Sequence, residues 1–116
     1  MSRRHLVVLT GEAESDIDAS WEWIAQSDPW GADHWRDGLL DAIEGLSLMP
    51  SRFPVAAESR FGHYPGELRQ MLHGSGFWKY RILFAVDGSQ VVVVNIRHGA
   101  RLYRGQKGPK FEQGEE

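Results

Sequence analysis

Residues 78–98 read WKYRILFAVDGSQVVVVNIRH, and the way the two halves of this stretch pair decides the fold. Apolar and polar positions alternate on both sides of Asp87-Gly88-Ser89, which is the period of two strands joined by a turn. A three-residue turn, Asp87 to Ser89, pairs Val86 with Gln90 and sets each even position opposite an even one. One face then carries Trp78, Tyr80, Ile82 and Phe84 with Val92, Val94, Ile96 and His98. The other carries Lys79, Arg81, Leu83 and Ala85 with Val91, Val93, Asn95 and Arg97. The first face is apolar enough to lie beneath helices, and the second has a polar, basic end. A two-residue turn would change the parity and mix the two sets, so the three-residue register is expected.

Upstream, the period is helical. Leu6 to Leu9 forms a short strand closed by Thr10-Gly11. Thr10 suits an N-cap, and Glu12 and Glu14 suit the positive end of the helix that follows. Ala13, Ile17, Trp21 and Ile24 fall on one face of that helix. Asp28-Pro29 starts a second helix, with Asp as cap and Pro at its first position. Its stripe runs Ala32, Trp35, Leu39, Ala42, Ile43, Leu46 and Met49 and stops at Pro50. Ser51 to Gly66 has aromatics and prolines without a period and reads as a loop. Glu67 to His73 and Phe77 to Val86 read as strands around a Gly74-Ser75-Gly76 turn. A last strand covers Gln90 to His98. The expectation is an α+β domain, β-α-α-β-β-β, with an antiparallel twisted sheet and an N-terminal helical hairpin packed on one face. It spans residues 1–104, with a flexible tail over 105–116.

Composition narrows the function. The chain has 116 residues, 41% hydrophobic and 25% charged, enough for one core. It lacks cysteine, which removes thiolate chemistry and disulfides and fits a cytoplasmic protein. Its apolar run at Leu6–Leu9 is too short for a membrane span or a secretory leader. Net charge is −3 and the pI about 5.9, without the global basic footprint of a nucleic-acid binder. The charge is polarised, however. Acids crowd residues 12–44, whereas between Arg69 and Lys110 the sole acid is Asp87, among Arg69, Lys79, Arg81, Arg97, Arg101, Arg104, Lys107 and Lys110. His34, His63 and His73 have no metal-ligand spacing, so neither metal nor cofactor is expected. Trp23 and Trp30 lie off the helical stripes and are candidate partner anchors.

Ala13-x-x-Asp16-Ile17, Ala42-Ile43-x-x-Leu46-x-x-x-Pro50, Leu68-Arg69, Tyr80-Arg81-Ile82-x-Phe84 and Val94-Asn95-Ile96-Arg97-His98 occur in this order on the expected elements. In that order and spacing the chain resembles the RelE/ParE toxin superfamily, the plasmid-stabilisation proteins, from about Leu6 to Arg104. The resemblance implies the toxin half of a type II toxin–antitoxin pair. Such a toxin is neutralised by a cognate antitoxin, meets operator DNA only through that antitoxin, and has no membrane partner.

The resemblance implies either of two mechanisms. ParE-like members poison DNA gyrase by binding. RelE-like members enter the ribosome and cut messenger RNA, which needs a proton donor and cations for the phosphorane. On the RelE-like reading Arg81 clamps phosphate and His98 or Tyr103 donates a proton. On the ParE-like reading Arg69, Lys79, Arg81, Asn95, Arg97 and Arg101 form a surface for target or antitoxin. The expected register turns His98 toward the core and away from Arg81. Gly99 follows it directly, and the clustered lysines of the RelE-like branch are missing. With the acidic pI, these departures favour the ParE-like branch. An inactive, antitoxin-binding descendant is the third reading.

Overall fold

A computed structural model describes residues 4–62, 64–74 and 79–98. Strand β1 (Leu6–Leu9) leads into helices α1 (Gly11–Ala25) and α2 (Pro29–Glu44), then strands β2 (Arg69–His73), β3 (Tyr80–Asp87) and β4 (Gln90–His98). The helix starts obey local chemistry. The Thr10 hydroxyl accepts the Ala13 N–H at 3.0 Å, and Asp28 accepts the Gly31 N–H at 2.9 Å with Pro29 in the first turn. The second helix ends earlier than its apolar stripe. Gly45–Ser47 tightens to a 3-10 turn, and Met49 adopts a left-handed backbone (φ 48°) immediately before Pro50. The stretch expected to be loop holds two further 3-10 turns, Pro50–Arg52 and Ala57–Phe61. The expected boundary at residue 104 and the tail lie outside the described residues, as do Trp78 and His63.

The sheet is mixed, not antiparallel throughout. Its order is β1-β4-β3-β2, and β1 runs parallel to β4, with Leu6 opposite Gln90 and Leu9 opposite Val93. The reason is directional. β1, β2 and β4 all run the same way, because the β2–β3 and β3–β4 reversals cancel. A first strand inserted beside the last is therefore parallel to it.

The hairpin register also differs from expectation, in an instructive way. The turn holds two residues, Gly88 and Ser89, so Asp87 opposes Gln90 and Phe84 opposes Val93. The parity is then corrected by a bulge. Leu83 opposes Asn95, leaving Val94 as the extra residue, and Tyr80 opposes His98. The core face is thus Tyr80, Ile82, Phe84, Val91, Val93 and Ile96, packed under Ala13, Ile17, Ile24, Trp35, Leu39 and Leu46. Val91 and Val93 exchange faces with Val92 and Val94, while the outer half of the hairpin keeps the expected sorting. Gly88 sits at φ 61°, a conformation that glycine adopts without a side-chain clash.

Beyond Leu9 the edge of β4 has no strand beside it, and Thr10 and α1 supply the missing donors and acceptor. The Thr10 N–H bonds Val93 O at 3.0 Å, and the Thr10 hydroxyl donates to Val94 O at 3.2 Å. Asp16 Oδ2 accepts the Ile96 N–H at 2.9 Å and the Asn95 side-chain amide at 3.1 Å. One carboxylate oxygen stands in for a strand carbonyl.

Candidate functional site

Arg81 lies on the sheet face away from the helices, as its register predicts. That face is not open. Residues 53–62 and 64–68 wrap around the β2 edge as a strap. Phe53 stays on the helix side, edge-on to Phe84 with ring centres 6.0 Å apart. Ala56 and Leu68 lie on the far side, packed with Leu83, Ala85 and Val94. Main-chain bonds fasten the crossing: Ala56 N–H to Leu68 O at 2.8 Å and Gln70 N–H to Pro54 O at 3.0 Å. Arg69 adds bonds from its guanidinium to Phe53 O at 2.6 Å and to Glu67 at 3.1 Å.

The strap carries Glu58 into the interior, where it is fully buried. Arg81, 5% exposed, donates to both Glu58 oxygens and to Gln70 Oε1 at 3.0 Å. A guanidinium in this environment must be neutralised, and the bidentate carboxylate does so. Glu67, at the start of the expected strand, pairs with Arg69, whereas Glu58, in a stretch with no period to reveal its inward aim, takes Arg81.

The other expected site residues scatter. Asn95 is buried and spent on Asp16. Arg69 is spent on the strap. Arg97 is half-buried and Lys79 exposed. Arg101 and Tyr103 lie outside the described residues. The outward basic platform read from the hairpin is thus reduced, within the described residues, to Lys79 and Arg97, because the strap occupies the face on which it was drawn.

His98 faces the helices, on the opposite side of the sheet from Arg81. Its ring stands edge-on to Tyr80 at 5.0 Å and to Trp23 at 5.3 Å, and Trp35 lies 4.9 Å from Tyr80. At 5% exposure it is enclosed by aromatics and does not share a site with Arg81. Trp23, taken from the sequence as a possible anchor, serves this enclosure, whereas Trp30 is 87% exposed.

This fold, with its ordered motifs, matches a family model described as ParE toxin of type II toxin-antitoxin system, parDE, over residues 7–103. The chain belongs to the ParE toxin family. In three dimensions it is similar to a chain of the chromosomal ParDE TA system from P. aeruginosa. The TM-score is 0.64 at 17% identity, covering 82% of this chain and 96% of that one. At that identity the likeness speaks for the fold. No curated protein sequence matches the chain.

The ParE-family motifs now have physical roles. Ala13 and Ile17 are core and Asp16 caps the β4 edge, so the opening motif joins helix to sheet. Tyr80-Arg81-Ile82-x-Phe84 alternates core face with strap face. Among the described residues no group of three His, Asp or Glu is placed to hold a metal ion, and no helix is long and apolar enough to cross a membrane.

Proposed function

We propose that this ParE-family chain is the toxin of a type II toxin–antitoxin pair, that it acts by binding a target of the DNA gyrase kind, and that a cognate antitoxin neutralises it. The observation that carries the binding reading over RNA cleavage is the Arg81–Glu58 pair. A guanidinium held bidentately by a buried carboxylate is not available to a phosphate, and the His98 imidazole is enclosed on the far side of the sheet. Lys79 and Arg97, with Arg101, are the proposed contacts for target or antitoxin. The setting on this reading is cytoplasmic, plasmid-stabilising, and in contact with operator DNA only through the antitoxin.

Induction in a test host checks the reading. The expected outcome is growth arrest with gyrase-dependent DNA cleavage complexes and DNA-damage signalling, without codon-phased cuts in translated messenger RNA by primer extension. Coexpression of the adjoining small reading frame should restore growth and yield a copurifying complex. Phased cuts that vanish in Lys79→Ala, a change at an exposed position, would replace this reading with the RelE-like one.

A further inference from the structure

A cavity of about 330 Å³ opens where the closed end of the helical hairpin meets the end of β2, lined by Ile24, Asp28, His34, Trp35, Gly38 and His73 among others. Its volume falls at the small end of ligand pockets, and its mixture of apolar wall and a few polar groups is typical of them. The polar groups are not random. Trp35 is 93% buried, and its indole N–H has no hydrogen-bond partner. A buried donor left unmet is costly. Asp28 spends Oδ1 on the Gly31 N–H and holds Oδ2 beside the same turn. Charge limits what can enter. Helical residues 11–44 carry ten acids against Arg36 alone, so an anion is repelled.

We propose that this cavity binds a neutral carboxamide, whose oxygen accepts from the Trp35 indole and whose NH₂ donates to Asp28 or to an imidazole of His34 or His73. An amide presents both halves of this pattern in one plane, whereas a carboxylate lacks the donor and an ammonium lacks the acceptor. The amide belongs either to a free aromatic carboxamide or to an asparagine or glutamine side chain of a protein partner. Lys79, Arg97 and the strap are not among the residues that line it, and its occupancy is independent of whether the chain is toxic.

Titration of the labelled full chain with benzamide, propionamide and toluene, followed through the Trp35 indole proton in NMR spectra, tests this. Benzamide should produce a saturable downfield shift of that proton and not of the exposed Trp30. In Trp35→Phe, which keeps an aromatic ring and loses the donor, the affinity read from the amide signals of the cavity-lining Gly31 and Gly38 should fall roughly tenfold. A matching shift from propionamide identifies a side-chain amide as the natural ligand; a shift from benzamide alone identifies a free aromatic carboxamide. No shift from either amide, or an equal one from toluene, overturns the proposal whatever becomes of the truncated side chain's stability.

Discussion

Asp16 shows how much a single carboxylate can carry. Its oxygen accepts from both the Ile96 N–H and the Asn95 amide beside the β4 edge. Asp16→Ala removes both bonds and should cost about 1–3 kcal/mol, read as a lower urea midpoint by tryptophan fluorescence. Asp16→Asn, which keeps one acceptor oxygen, should retain most of the stability. His73 makes a second residue-scale case. Burial lowers its pKa below 6.5, and only partly does the nearby Trp35 main chain raise it again. The folded state therefore resists a proton that the unfolded chain accepts. Stability is full above about pH 6.5, falls as pH drops from there through the folded value, and levels off below it. Asp28 and His34 line the same cavity and belong in any fit of that profile. His73→Gln should flatten it in denaturation curves taken across this range. Gly38→Ala should displace the ring, since a methyl there would meet His73 Cε1 at 3.2 Å, and return the imidazole's NMR titration toward 6.5.

Among the elements, the strap is held by the buried Arg81–Glu58 ion pair. Truncating either Glu58 or Arg81 leaves the other charged and dry, and should cost about 3–5 kcal/mol. The paired change Glu58→Leu with Arg81→Met should recover much of that loss, and a double-mutant cycle by urea denaturation gives the coupling. A sum of single losses without recovery would show that the strap is held by something else. This element also marks where the sequence stops being legible. Helices announced themselves through caps and a 3.6-residue period, and the strands through alternation. Residues 51–66 had neither, so Glu58's inward aim had no local signature. The site is less legible accordingly: Arg81 stands out in its strand as a cation, but nothing in the sequence shows that its partner comes from the loop. The bulge was hidden for a related reason. Four consecutive valines, 91–94, suit either face equally, so nothing local showed where the register slips by one.

At the level of the whole molecule, charge and topology act together. The helical hairpin is acidic while most of the cations fall at or after Arg69 in the sequence, a polarity that an averaged pI of about 5.9 conceals. Mixed sheet direction was likewise beyond a strand-by-strand reading, because it depends on which strand lies beside which. The parallel β1–β4 pair has a further implication for synthesis. Thr10 meets Val94 across 84 positions of sequence. A nascent chain that has made both helices still has no neighbour for its first strand until its last one has left the ribosome. Chains ending before Gln90 should accordingly show no cooperative melting in calorimetry. Synthesis halted before Gln90 thus yields only fragments lacking the finished sheet, and the ParE fold exists solely in chains that extend through β4.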